Sequence, residues 1–263
     1  MPFTRITLKH NGSVASITLN RPEVHNAFDE VLRDELLEAI DGASIDNSIR
    51  AIVIGGTGKS FCAGADLEWM KRMAGYSRAE NVKDADRMRA MYEAIYLCPK
   101  PIIARVHGAA MGGGAGIVAA AHIAIASPLV TFAFTEVKLG LAPSVISPYV
   151  IRKIGPGNAS ALFATGERFD ARTALRIGLI HDLADDLDSA VQEKVKHIVA
   201  AGPKGVAKAL ELVRAWETLP AEKLAPFTVE TIADLRASDE GREGIQAFLE
   251  KRKPNWTTDQ TSK

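Results

Sequence analysis

The apolar positions of this chain change period along its length, and the changes mark out its elements. Residues 5–10 and 13–20 are short β-favouring runs, and Asn11-Gly12 between them is a strong hairpin signal. Arg21-Pro22 ends the second strand. Val31, Leu32, Leu36, Leu37 and Ile40 then fall at helical spacing, with Asn26 or Asp29 as the N-cap. Residues 51–54 form a short apolar strand closed by Gly55-Gly56-Thr57-Gly58. Residues 61–67 read F-C-A-G-A-D-L, a glycine turn with Asp66 placed to cap a following helix. Residues 79–97 predict a long, charged helix, stopped by Pro99 and Pro101.

A buried strand follows at residues 102–106. It runs into a turn holding Gly108, Gly112, Gly113, Gly114 and Gly116, and residues 117–121 predict the first turns of a buried helix. Residues 122–126 and 130–134 read as strands. Residues 147–154 and 158–165 read as helices split by Gly155-Pro156-Gly157. Asp170 caps a further helix that Gly178 closes. From Asp188 onward helices alone are predicted, at 189–201, 206–216, 226–237 and 240–253. The chain therefore divides into an α/β core over residues 1–187 and a helical region over residues 188–263.

Composition narrows the function. With 263 residues, 47% of them hydrophobic, the chain can bury a sizeable core. Lys plus Arg is 32 and Asp plus Glu is 32, so no global charge attracts nucleic acid or an anionic membrane. No apolar run reaches about 18 residues, the length of a membrane span. The N-terminus carries strand-like alternation with charges and does not read as a signal or transit peptide. Cys62 and Cys98 are the only cysteines and lack metal-ligand spacing, which suits a reducing cytosol or an organelle matrix; we expect a cytoplasmic protein.

The two glycine turns, about fifty residues apart, are the candidate chemistry. A turn of this kind lets backbone N–H groups approach a negative oxygen, either a phosphate or a transient oxyanion. The alternative is that the glycines only allow helix and sheet to pack closely. Gly58-Lys59-Ser60 is not a phosphate loop, because the Walker pattern needs glycine where Val53 stands. No G-x-G-x-x-G opens a helix in a dinucleotide-binding unit, and no G-x-S-x-G occurs. Glu136 lies among Phe132, Phe134, Val137 and Leu139, where desolvation raises a carboxyl's affinity for a proton. It is a candidate general acid/base, or else a buried ion-pair partner. Cys62 reads as packing, and His107 and His122 as structural residues, with no metal site. Trp69, Met70 and Met73 share a helical face that can be core, pocket wall or both.

F-C-A-G-A-D-L, G-A-A-M-G-G-G-A-G and F-T-E-V-K-L-G-L-A-P, in this order, resemble the crotonase (enoyl-CoA hydratase/isomerase) superfamily. L-N-R-P-E-V-H-N-A-F and E-G-I-Q-A-F-L-E-K-R-K-P-N-W extend the resemblance over nearly the whole chain. It implies a spiral of ββα turns and a helical C-terminal region that makes a homotrimer or a dimer of trimers. It also implies an acyl-CoA thioester substrate, with no cofactor beyond the CoA of the substrate itself. The oxyanion donors it implies are the N–H groups of Ala65 and Gly113, and the acid/base is Glu136. Substrate contacts would come from Ala63, Ala65, Asp66, Leu67, Trp69 and Gly113, with Phe248 and Lys251 reaching CoA on a neighbouring subunit. The second glutamate of the family's fatty-acid hydratases would fall on Gly116 and is missing.

Through A-D-L-E-W-M, F-T-E-V-K-L-G-L-A-P and V-I-S-P-Y-V-I the chain more closely resembles bacterial hydratases of the 3-methylglutaconyl-CoA type, from leucine breakdown. Such a substrate carries a distal carboxylate, for which Arg72, Arg105 and Lys138 are candidate partners. The expected activity is hydration of an enoyl-CoA 2,3-double bond. The alternatives are a Δ3-Δ2 enoyl-CoA isomerase using Glu136 as single base, and an inert binder of CoA esters or RNA.

Overall fold

The computed structural model describes residues 2–257. Strands β1 (Ile6–Asn11) and β2 (Val14–Leu19) form the predicted hairpin, from Ile6 opposite Leu19 to Asn11 opposite Val14. Next to β2, and parallel to it, runs β3 (Ala51–Gly56), followed in the sheet by β4 (Ile102–Val106). A second, three-stranded sheet begins at β5 (Ala109–Met111). Strand β6 (Ile123–Ala126) returns to the long sheet, and β7 (Thr131–Ala133) pairs with β5 in the short one. β8 (Arg168–Asp170) completes the short sheet and β9 (Asp182–Leu183) the long one.

Helices make the crossovers. α1 (Glu30–Ile45) joins β2 to β3, and α2 (Leu67–Met73) with α3 (Arg78–Leu97) joins β3 to β4. α4 (Gly113–Ala120) follows β5, and α5 (Ser147–Thr165) follows β7. The chain thus twice passes from the long sheet to the short sheet to a helix, as β4-β5-α4 and β6-β7-α5. This is the ββα spiral that the motifs implied. α6 (Ala171–Arg176), α7 (Leu187–Ala200), α8 (Pro203–Thr218), α9 (Ala221–Ala237) and α10 (Asp239–Leu249) complete the elements.

Strands β3 and β6 carry no polar side chain because both faces of the long sheet are covered. One face packs with α1, α3 and α4 through Leu32, Leu36, Ile40, Tyr92, Ile95, Ile117 and Val118, all at most 1% exposed. The other face, through Val53, Ile103 and Ile125, receives Leu187 and Val191 of α7. The first helix of the expected C-terminal region therefore lies on the core sheet.

Three local expectations change. The glycine stretch is not one strand-turn-helix: β5 intervenes, and α4 begins at Gly113 rather than Ile117. α9 begins five residues before the expected Pro226, which lies inside the helix and forgoes its bond to the Glu222 carbonyl. α10 ends at Leu249, and Lys251 takes a left-handed φ of 56° beyond it. The break at Gly155, with φ 75°, separates the two halves of α5 where the sequence placed it.

Candidate active site where two glycine turns meet

Asp66 and Asp29 cap the two helices that flank the first glycine turn. Asp29 Oδ1 accepts from Leu32 N–H at 2.7 Å, and Asp66 Oδ1 accepts from Glu68 N–H at 2.8 Å and Trp69 N–H at 3.2 Å. Arg21 ties the caps together, its guanidinium standing 3.3 Å from Asp29 Oδ2 and 2.9 Å from Asp66 Oδ2. It also donates to the Ala27 carbonyl at 2.7 Å. All three side chains are buried, so the cluster fixes the direction in which the turn enters α2.

Between the caps, Phe28 forms an isolated parallel bridge to Ala65. Phe28 N–H donates to the Gly64 carbonyl at 2.7 Å, and Asp66 N–H donates to the Phe28 carbonyl at 2.7 Å. In this pairing the residues on either side of Ala65 make the bonds, so the Ala65 N–H points away from Phe28. It finds no acceptor among the described residues.

The second turn packs directly on the first. Cys62 N–H donates to the Ala109 carbonyl at 3.0 Å and Met111 N–H donates to the Cys62 carbonyl at 2.9 Å. A Cβ on Gly114 would lie 2.6 Å from the Cys62 carbonyl oxygen, so only glycine permits this approach. Gly113 is the first residue of α4, and its N–H has no acceptor among the described residues either. Ala65, Gly113 and Glu136 all line one cavity of about 270 Å³.

Glu136 opens the short 3-10 turn Glu136–Leu139 after β7. Its Oε2 is buried and has no hydrogen-bond partner among the described residues. Burial pushes its carboxyl above the ordinary value of 4.5, partly offset by a backbone hydrogen bond. The ion-pair alternative is absent, since no described cation pairs with Glu136. The position of the missing second glutamate is filled instead: a Cβ on Gly116 would lie 2.4 Å from Ile146 Cγ2 and 3.0 Å from Tyr92 Cε1.

Phe28, Trp69, Met73, Met88, Tyr92, and residues 141–146 supply most of the remaining wall. Trp69 was expected here; Phe28, Tyr92 and Ile146 were not. Tyr92 is fully buried and donates its hydroxyl to the Gly113 carbonyl at 2.9 Å. Asn81 and Asp84 bring polarity to the rim, and Asp84 is bound to Arg33 at 2.7 Å. Asp66 serves as cap and ion-pair partner and does not line the cavity, while Leu67 is 73% exposed beside it. Ala63 donates its N–H to the His25 carbonyl at 3.0 Å. Phe248, 82% exposed, and Lys251 do not line the cavity of their own chain.

None of the three candidate cations for a distal carboxylate lines the cavity. Arg72 pairs with Glu30 at 2.6 Å, Arg105 pairs with Asp188 at 2.6 Å on the far side of the sheet, and Lys138 packs by Gly166. Cys62 is fully buried and its thiol is pushed up to about 12 by that burial, so it packs and does not attack. His107 Nε2 meets the Gly58 carbonyl at 3.0 Å, tying the turn regions together. Among the described residues no cluster of His, Cys, Asp and Glu could hold a metal ion, and no helix is long and apolar enough to cross a membrane.

Comparison with known proteins gives the family. The family model for enoyl-CoA hydratase/isomerase matches residues 9–260. A putative enoyl-CoA hydratase of Thermus thermophilus is 31% identical, over 93% of this chain and 98% of its own. A trans-2-decenoyl-[acyl-carrier-protein] isomerase of Streptococcus mutans is 29% identical, over 98% of this chain and 99% of its own. The crystal structure of an enoyl-CoA hydratase from Shewanella pealeana superposes with a TM-score of 0.94 at 38% identity, covering 97% of this chain and 96% of that one. The chain is an enzyme of the enoyl-CoA hydratase/isomerase family.

Proposed function

We propose that the protein adds water across the 2,3-double bond of an enoyl-CoA thioester, with Glu136 as its only proton carrier. One observation carries this reading: an unpartnered, buried carboxylate oxygen shares a cavity with two free main-chain amides. The thioester oxygen takes both amide hydrogen bonds, which strengthen as negative charge gathers on it. Ionised Glu136 accepts a proton from water as the water oxygen bonds to C3. The π electrons pass to the thioester as an enolate. Protonated Glu136 then gives that proton to C2, which lies next to C3 on the same face.

The filled space beside Gly116 favours a second reading. Without another carboxylate to hold the water, Glu136 removes a proton from C2 of a 3-enoyl thioester and returns it at C4. The product is the 2-enoyl isomer, and no water is consumed. The relative named as an isomerase belongs with this reading. Glu136→Gln separates both from a mere binder: turnover should fall about 10²–10⁴-fold while the CoA ester still binds. Turnover near the wild-type level would remove Glu136 from the mechanism. Incubation with 2-enoyl and 3-enoyl thioesters in ¹⁸O-water distinguishes the two reactions, since only hydration places ¹⁸O on C3.

The wall favours an uncharged acyl chain. A 3-methylglutaconyl thioester would bring its distal carboxylate to apolar side chains and to Asp84, with no cation among the described lining residues. Crotonyl-CoA should therefore turn over faster than 3-methylglutaconyl-CoA, and the reverse order would restore the leucine-breakdown reading. The homotrimer or dimer of trimers is also proposed. Val213, Trp216, Val229, Ile232, Ile245, Phe248 and Leu249 are 47–82% exposed on α8, α9 and α10, which supports burial against further copies. Sedimentation of a lone chain at micromolar concentration would overturn it.

A further inference from the structure

A second cavity, of about 350 Å³, lies at the opposite end of α4 from Gly113. Its wall combines Tyr96 of α3, His122 after α4, Arg152 and Lys153 of α5, His181 after α6, and Arg214 and Glu217 of α8. The wall is rich in donors and short of acceptors. Arg214 makes no side-chain hydrogen bond or ion pair among the described residues, although its Nη1 is buried. Arg152 lies over the Tyr96 ring at 4.0 Å, and its Nε is also buried without a partner.

Both histidines line the cavity, and their other ring nitrogens are already engaged. His122 Nδ1 accepts the Ile102 N–H and His181 Nδ1 accepts the Ala124 N–H, each at 3.0 Å. These bonds assign the ring proton to Nε2 in both. His122 Nε2 is buried and makes no hydrogen bond of ordinary geometry among the described residues.

Glu217 is the single carboxylate among the described residues of the wall. It is already engaged by the Tyr96 hydroxyl at 2.9 Å and by Arg152 at 3.5 Å. The carbonyls at the end of α4 are occupied as well, because Lys153 Nζ donates to Val118 at 2.8 Å and Ala121 at 2.6 Å. Burial, and to a smaller degree the neighbouring Arg152, bring Lys153 down to about 7.

We propose that this cavity binds a small oxyanion, with Arg214 and Arg152 as its cationic partners and the His122 and His181 Nε2–H groups as further donors. A tetrahedral or carboxylate oxyanion is rich in acceptors, and the Glu217 carboxylate in this wall is already engaged. Arg214 is half-buried, with Nη1 buried and unpartnered, and an anion in the cavity would supply the missing acceptor. The site is separate from the cavity that holds Glu136 and does not rest on the reaction assigned there.

The test follows thermal unfolding of the full chain while sodium phosphate replaces sodium chloride at constant ionic strength and pH. The wild type should rise in Tm along a saturable curve, and Arg214→Gln should bind phosphate at least about tenfold more weakly. Glu217→Gln removes the lone carboxylate and should bind phosphate more tightly. That opposite sign keeps the test intact if Arg214→Gln fails to fold.

Where the oxyanion is a carboxylate of a second copy, phosphate competes with self-association. Its effect then weakens as protein concentration rises, and Arg214→Gln sediments as a smaller species. That outcome keeps the oxyanion and identifies its source. Identical phosphate responses in the wild type and both variants, or no response at any protein concentration, overturn the proposal.

Discussion

A side chain on Gly116 would meet Ile146: its Cβ would stand 2.4 Å from Ile146 Cγ2, with Tyr92 Cε1 closing the same space at 3.0 Å. The place where a second carboxylate would project is therefore occupied by hydrocarbon. Gly116→Glu should not create a two-carboxylate hydratase. It should instead lower stability by about 1–3 kcal/mol through overpacking, with more lost if the new carboxylate stays buried. Thermal unfolding of Gly116→Glu and of Gly116→Glu/Ile146→Ala checks this, because the second change should recover part of the loss. A stable single variant with faster hydration would show that the helix can shift to make room.

The state of Glu136 sets a pH limb. Burial raises its carboxyl above 4.5, and both proposed reactions begin with the ionised form. The value of kcat/KM should therefore fall as pH drops through a pKa lying above that of an ordinary glutamate. A pH–rate profile read with a nonionising thioester checks the position of the limb. An acidic limb at or below the ordinary value would mean that the carboxylate is solvated during turnover.

Arg21 should matter more for the fold than any single cap it serves. Removing it by Arg21→Met leaves Asp66 buried without its cation, while Asp29 keeps Arg5 at 3.1 Å, a loss of about 3–5 kcal/mol. Burial pushes Asp66 upward, but the Trp69 N–H, the Arg21 guanidinium and the Glu68 N–H outweigh it and hold it below 3.8. A lowered folded-state pKa stabilises the fold above the unfolded-state value, and that contribution disappears as pH falls through the folded value. In Arg21→Met acid unfolding should therefore begin at higher pH than in the wild type. Denaturant titrations at several acidic pH values measure both effects.

Much of this site was legible because its signals are local. Asp29, Asp66 and Asp170 cap helices where short-range capping rules placed them, and the two glycine turns stand where the strands end. What escaped depends on distant chain segments. β5 is only three residues long, too short for any period to show, yet it starts the second sheet and moves the start of α4 to Gly113. Tyr92 and Ile146 carry no local signal of a site, and nothing near Gly116 in sequence says that they converge on it. The distal-carboxylate cations failed for the same reason, since Arg72 and Arg105 are claimed by Glu30 and Asp188, 42 and 83 residues away.

The donor at Ala65 belongs to the main chain, and its aim is set by Phe28 and by the Arg21–Asp66 anchor rather than by the alanine methyl. Genetic drift at codon 65 can therefore exchange one small side chain for another and leave the chemistry standing. Proline is the exception, because it alone erases the N–H. The vulnerable codons lie elsewhere, at the residues that hold the peptide plane in place.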